Sequence, residues 1–299
     1  MKKLIVKLGA VVILLLIIAV AAGALLINSI ARKGIESGST YALGVPTTLE
    51  SAKVGLTSGE FSMSGLNVAN PAGAFTSPEF LSLGEGSVAV SLGTLRSDLV
   101  KLPTLTLSDI SMNLERQGDK SNYTLILENL KRFESGETKP TDPSTTPSKK
   151  FVIRTLQIRN VNVHLDLLPE GGQLTQVDVP IDLIELKDVG SGGKSVGISD
   201  LAGVILKTII TVAIEKGGDR IPGEISGELT KGLGELRNLS DQGITVLLGD
   251  GGNVKTVGKT AEELSKKAGE VGKQAEESVK KLGQGIGNIL GGDKKKDDK

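Results

Sequence analysis

The chain has 299 residues, enough for one or two domains with a real core. Aromatic residues are 2% of it, tryptophan is absent and glycine reaches 39, so the apolar volume has to come from Leu, Ile and Val spread over many strands, which points to a shallow, sheet-rich fold. Lys plus Arg equals Asp plus Glu at 35 each, which gives no global field for nucleic acid; with no cysteine and one histidine, disulfides, thiol nucleophiles and the usual zinc constellations are excluded.

From Leu8 to Ala31 the chain reads LGAVVILLLIIAVAAGALLINSIA without a charge, and these 24 residues at helical rise exceed the roughly 30 Å of a bilayer's hydrocarbon layer. This predicts an uncleaved membrane anchor over residues 1–33. The rival is a cleaved signal peptide with Ala19-Val20-Ala21 as the cleavage site, but the apolar run is too long for an ordinary signal core. Lys2, Lys3 and Lys7 with the amino terminus outweigh Arg32 and Lys33, which places the N-terminus in the cytoplasm and the bulk of the chain outside.

After a juxtamembrane stretch from Arg32 to Pro46, strand-like pieces begin. Val54 and Leu56 precede a turn at Ser58-Gly59; Phe61 and Met63 then alternate until Gly65, where the phase slips to Leu66 and Val68. Asn70-Pro71-Ala72-Gly73 has the composition of a type I turn. Val88, Val90 and Leu92 read as a cleaner strand. In TLTLSDISMNLE, Thr104 to Glu115, Leu105 and Leu107 are followed by a slip at Ser108-Asp109 and then by Ile110, Met112 and Leu114. Asn122 to Phe133 changes period: Tyr123, Ile126, Leu127, Leu130 and Phe133 share one helical face, with Ser121 or Asn122 able to cap.

Glu134 to Lys150 has three prolines and no large apolar residue, and reads as a linker. Beyond it, TLQIRNVNVHLD, Thr155 to Asp166, repeats the earlier unit: Leu156 and Ile158, a slip at Arg159-Asn160, then Val161, Val163 and Leu165. His164 takes the place of Asn113, so that position asks for an outward polar residue and not for an imidazole. Val177, Val179, Ile181 and Leu183 continue the sheet, with Pro180 suggesting an edge and a further slip before Leu186. Ser199 to Gly218 reads as a broad apolar helix with a serine cap, buried on more than one side. From Gly217 the composition turns to Lys, Glu, Gly and Ala, and Val257 to Ile289 carries a thin apolar seam at spacings of three and four.

Two glycine clusters, Gly190 to Gly193 and Gly249 to Gly252, lack the lysine and serine of a phosphate loop, and basic residues are not interleaved with aromatics, so neither nucleotide nor nucleic acid is expected. No acid pair stands out for general acid–base work. The expectation is a protein that is not an enzyme and has no catalytic residues, cofactor or metal. Asn122-Tyr123-Thr124 and Asn238-Leu239-Ser240 match the glycosylation pattern.

The order of an anchor, then FSMSGLNVANPAGAF, SVAVSLGTL and LPTLTLSDISMNLERQGDKSNYTLILENL resembles the AsmA-like family of bacterial envelope proteins. Gly65-Leu66-Asn67-Val68 running into Asn70-Pro71 and Gly73, and the bent strand leading to Asn122 and its helix, carry the resemblance, which covers Leu49 to Phe133 well and Phe151 to Lys216 less firmly. The resemblance implies an inner-membrane, single-pass protein facing the periplasm, with repeated β-elements forming a curved apolar groove and a part in envelope lipid homeostasis. The long middle of larger members is missing, and about ten strands at about 4.8 Å each would give a groove of about 50 Å.

The fold expected is therefore α+β: an N-terminal transmembrane helix, a curved, mostly antiparallel repeated sheet with two packing helices, and a C-terminal amphipathic tail. The divisions are residues 1–33, 34–133, 134–150, 151–218 and 219–299. Val88, Val90, Leu92, Leu105, Leu107, Leu156 and Ile158 are the candidate lipid-facing residues, with membrane phospholipid as the partner. The alternative is an assembly scaffold whose tail helix recruits a protein.

Overall fold

A computed structural model describes residues 26–55, 58–73, 75–94, 97–135, 150–169, 175–191, 195–234, 236, 239 and 244–249. The architecture is α+β. One sheet runs in the order β1 (Thr47–Gly55), β2 (Glu60–Ala69), β3 (Glu79–Ala89), β4 (Leu99–Gly118), β6 (Lys150–Pro169), β7 (Thr175–Val189), β8 (Thr245–Leu248), with the short β5 (Lys120–Ser121) folded back on the end of β4. That makes eight strands among the described residues, where the sequence suggested about ten. All pairings are antiparallel except β4 with β6. A parallel pair needs a crossover, which here passes through β5 and the helix α2 (Asn122–Ser135). The strands of both sequence repeats thus lie in one sheet.

The repeat is itself the parallel pairing. Thr104 faces Thr155, Leu105 faces Leu156 and Asn113 faces His164, so the 51-residue offset of the sequence is the register of β4 on β6. The phase slips also align. Across the sheet, Glu50, Gly65, Gly84, Asp109, Asn160 and Asp182 fall opposite one another, bracketed by Leu49↔Leu66, Leu66↔Leu83, Leu83↔Ile110, Ile110↔Val161 and Val161↔Ile181. Gly65, Asp109 and Asn160 on this line have φ of 64°, 59° and 49°, in the left-handed region. Register is unchanged on either side, so this is a crease shared by six strands and not a bulge, which would leave one strand with an extra residue. A shorter crease crosses Pro103, Arg154 and Asp188, the last with φ 59°. On β7 the slips fall at Asp182-Leu183 and Lys187-Asp188, so Leu183 is turned outward and Ile184 is buried; the alternation from Ile181 does not run on to Leu183 as expected.

Each crease keeps the apolar residues on one face. Val100 and Leu102, Leu105 and Leu107, then Ile110, Met112 and Leu114 of β4 are all buried on the same side. The opposite face is polar, with Gln157 donating to Glu185 at 2.9 Å and Lys187 to Thr155 at 3.2 Å. Lys187, and then Gln157, hold the Glu185 carboxyl below its ordinary value.

Among the described residues there are four helices where the sequence suggested two packing on the sheet: residues 26–43 (α1), α2 and α3 (Ile198–Gly217) lie over the apolar face, and α4 (Gly223–Gly234) packs on α2 and α3. On α2, Tyr123, Ile126, Leu127 and Leu130 are buried as their spacing predicted; the side chain of Phe133 lies outside the described residues. Neither Ser121 nor Asn122 caps it, because both side chains are bonded elsewhere. α3 starts one residue before Ser199, after Gly197, whose N–H donates to the Asp200 carboxylate at 2.9 Å. Part of the stretch expected as tail from residue 219 belongs to the fold: Ile225, Leu229 and Leu233 of α4 are buried at a spacing of four, and β8 joins the sheet. Of the expected linker 134–150, Glu134 and Ser135 end α2 and Lys150 opens β6; residues 136–149 and the seam from Val257 to Ile289 lie outside the described residues.

The stretch Arg32 to Pro46 is largely helix, which the sequence reading missed. Asn28, Arg32, Glu36 and Thr40 form a stripe at spacing four that lies along the free edge of β1. Asn28 Oδ1 accepts from Val54 N at 2.8 Å, Glu36 Oε1 from Leu49 N at 2.9 Å and Thr40 Oγ1 from Thr47 N at 2.9 Å, while Arg32 donates to Glu50 O. A helix thereby satisfies backbone donors that an open edge would present to another chain. Among the described residues no helix is long and apolar enough to cross a membrane; residues 8–25 of the expected span lie outside them, and residues 26–31 begin α1.

Valine disfavours the left-handed conformation of Asn160 by about 1–2 kcal/mol, whereas glycine adopts it freely. Asn160→Val is therefore expected to lower unfolding stability by about that amount relative to Asn160→Gly, measured by urea denaturation of the two variants side by side.

Candidate functional site

The helices do not fill the space over β2, β3 and β4. Between that part of the sheet, α1 and the start of α3 lies a cavity of about 340 Å³. Its floor is Leu81 and Leu83 of β3 with Leu105 and Leu107 of β4, all buried; its walls are Ile35, Ser39 and Leu43 of α1 and Leu201, Ala202, Ile205 and Leu206 of α3. Among the described residues the lining is apolar apart from Ser39, with no charged side chain. One end is closed by Leu43, Val68 and Phe80, which are at most 4% exposed. At the other end Phe61, Val88, Val90 and Phe151 are half-buried and form a mouth, and Ile35, Met63, Leu66, Leu201 and Ile205 along the sides are half-buried as well, so the cleft is open along part of its length.

The sheet register locates that mouth. Val54, Phe61, Val88 and Leu105 face one another across β1 to β4, and Val54 is bonded to Asn28, near the start of the described part of α1. The mouth is therefore at the end where α1 continues from the apolar N-terminal sequence. Leu26 and Ile30, at the same end of α1, are 65% and 69% exposed.

Of the candidate lipid-facing residues, Val88, Val90, Leu105 and Leu107 line this cavity together. Leu156 and Ile158 do not; both are 0% exposed on β6, a strand that α3 packs across, and belong to the closed core. The side chain of Leu92 lies outside the described residues. Sequence reading did not single out the α1 and α3 wall, although Ile35, Ser39 and Leu43 at spacing four would have marked a helical face.

The chain matches no protein-family model and no curated protein.

Two polar centres stand apart from the cavity. Glu115, on the polar face of β4, is 1% exposed because the loop after β2 folds over it. Its carboxylate accepts from Thr76 N at 2.6 Å, Thr76 Oγ1 at 2.8 Å, Ser77 N at 2.9 Å and Asn70 Nδ2 at 3.1 Å. Asn122 completes the centre: its side-chain oxygen accepts from Glu115 N at 2.9 Å, and its amide donates to Asn70 Oδ1 at 2.8 Å and to Asn113 O at 2.9 Å. The Asn70-Pro71 turn and Asn122 are thus halves of one latch. Because Asn122 is 0% exposed, its sequence pattern is not a glycosylation acceptor in the folded chain.

The second centre is Glu228 of α4, which accepts from Arg116, Ser121, Tyr123 and Thr124 and fastens α4 to the start of α2. Burial, followed by the charge of Glu228, pushes the Tyr123 hydroxyl well up. His164 lies on the polar face with Nδ1 2.6 Å from Asp178 Oδ1, both exposed. Its Asn113 counterpart reaches Glu79 O instead, consistent with an outward polar position. Among the described residues no group of three or more His, Cys, Asp or Glu could hold a metal ion.

Burial by itself would raise the Glu115 carboxyl, but the hydrogen bonds from Thr76 and Ser77 outweigh it and hold the group below its ordinary value. A depressed folded value contributes stability above the unfolded pKa of about 4.3, and that contribution is lost as pH falls through the lower folded value. Glu115→Gln puts an amide against donors from Thr76 and Ser77, and is expected to cost about 1–3 kcal/mol at pH 7. The difference from the parent chain should narrow below pH 4, read from urea unfolding across that range.

Proposed function

We propose that this is a non-enzymatic, membrane-anchored envelope protein of AsmA-like type that holds, and helps to move, lipid acyl chains against the inward face of its creased sheet. The observation that carries this reading is the cavity itself. Its walls are apolar, among the described residues no charged side chain lines it, and Val88, Val90, Leu105 and Leu107 do. Ligand cavities for small molecules run from about 300 to 1,000 Å³ and need a few polar groups to orient a polar ligand; this one offers a single hydroxyl and suits hydrocarbon.

The uncharged run from Leu8 supports an anchor in the bacterial inner membrane with the N-terminus cytoplasmic and the sheet periplasmic. The position of the mouth at the N-terminal end of α1 supports membrane phospholipid as the source of the chain. The resemblance of Gly65 to Gly73 and of the β4–Asn122 segment to AsmA-like proteins points the same way, and the latch built on Asn70 and Asn122 gives those residues a structural reason.

The test places a photo-crosslinking residue at each position from Ser87 to Val90 in the full chain in cells and identifies lipid adducts by mass spectrometry. Adducts are expected at Val88 and Val90 and not at the exposed Ser87 and Ala89. Equal labelling of both faces, or none at Val88 and Val90, rejects the reading.

A further inference from the structure

The sheet has no slack between itself and the apolar N-terminal run. That run is uncharged as far as Ala31, and α1 covers its last six residues, 26–31. Asn28 lies among them, and its Oδ1 accepts from Val54 N at 2.8 Å, so the edge of β1 is fastened before the run is over. Glu36 on Leu49 N and Thr40 on Thr47 N repeat the contact further along and keep helix and strand side by side.

Resting on the membrane-anchored reading above, we propose that the β1–β2 hairpin end of the sheet is a docking surface for the membrane that holds the anchor, kept against it by the bonds from α1. About 20 residues at helical rise cross a hydrocarbon layer of about 30 Å. Counted from Leu8, they end at Ile27. Asn28, and Val54 with it, then lie in the head-group layer, which is about 5–7 Å deep. The hairpin turn at Ser58-Gly59 lies beyond Val54 on the membrane side and reaches the inner part of that layer. Phe61 and Val88 stand level with Val54, so the mouth of the cleft opens among the head groups and an acyl chain enters it without crossing water.

The outer face of α1 agrees with this level. Leu26 and Ile30 are 65% and 69% exposed, and lipid covers them; the next residue along that face, Lys33, is charged and exposed. Lys33 stands about 7.5 Å above Asn28 at about 1.5 Å per residue, where the head groups meet water. Attraction between charges is not what docks this end, because around the hairpin Arg32, Lys33 and Lys53 are matched by Glu36, Glu50 and Glu60. Contact follows from attachment: a surface carried by the anchor itself meets the bilayer at a high effective concentration. It therefore needs no anionic lipid.

The experiment uses the full chain in phosphatidylcholine nanodiscs. The chain has no cysteine, so Leu26→Cys, Ser58→Cys and Lys120→Cys each carry a single bimane, with nitroxide on the lipid head groups as the quencher. Lys120 is the distant reference, paired with Gln117 and up to about 40 Å of strand away from Leu105 at the level of the mouth. Lying within the head-group layer, the label at Ser58 should be quenched about threefold more than the one at Lys120, and equally in discs containing phosphatidylglycerol. Asn28→Ala with Glu36→Ala should bring position 58 down to the level of position 120 while a cooperative unfolding transition is kept. Glu36→Gln, which keeps Asn28 and an acceptor oxygen at position 36, should retain the quenching. Quenching at position 26 but not at 58 overturns the docking and leaves the anchored reading standing; quenching at neither overturns both. Quenching at position 58 that survives the paired alanine substitutions, or that requires phosphatidylglycerol, overturns the role given to the α1 bonds or to attachment.

Discussion

Everything in this fold hangs on keeping one face of a long-stranded sheet apolar while the sheet bends. A twenty-residue strand such as β4 or β6 that bends in the middle would turn half of its side chains to the wrong face if its alternation ran on unbroken. Here each strand turns over at the same level, using a left-handed residue at Gly65, Asp109 and Asn160. Because the turnover is common to six strands, hydrogen-bond register survives it. Aspartate and asparagine suit the role since short polar side chains tolerate the left-handed region, and Asn160 Nδ2 bonds Asp109 Oδ1 across the parallel pair.

The crease makes the single covered face usable. Its β4–β7 half is covered by α2 and α3, with α4 packed on both, leaving Leu156 and Ile158 with no exposure. The β2–β4 half is roofed by α1 and the start of α3, and there the helices stand off far enough to leave the cavity. α1 has two tasks on different sides. Asn28, Glu36 and Thr40 bond the edge of β1, while Ile35, Ser39 and Leu43 line the cavity, so closing the sheet's edge and walling the site are one structural event.

The polar latches explain how the crossover is held. Parallel pairing of β4 and β6 requires the chain to leave the sheet through α2 and return, which is entropically expensive. Glu115 and Asn122 fix the departure from β4 to the loop after β2, and Glu228 fixes the start of α2 to α4. These centres commit the buried Glu115 and the half-buried Glu228 to fastening the fold. Arg116 joins the second of them: burial would lower its pKa, but Glu224 and Glu228 raise it overall.

The sequence by itself determined the slips at Gly65, Ser108-Asp109 and Arg159-Asn160, the 51-residue repeat, the apolar face of α2 and the outward position of His164, because all of these are local periodicities and a period of two or 3.6 is written residue by residue; the strand expected at Val88, Val90 and Leu92 instead ends at Ala89, and Leu92–Thr94 is a 3-10 turn. It did not disclose that α1 runs on past Arg32, since that helix's stripe is polar and makes sense only beside an open strand edge. Nor did it show that α4 and β8 belong to the fold, for their short apolar sets acquire meaning only against α2 and β7. Which apolar residues surround empty space and which are core was decided by tertiary structure alone. Leu105 and Leu156 occupy the same place in the repeat and face each other in the sheet, yet one lines the cavity and the other is sealed. The difference lies in how closely the helices packed over each strand approach it, a distance that no pattern along either strand records.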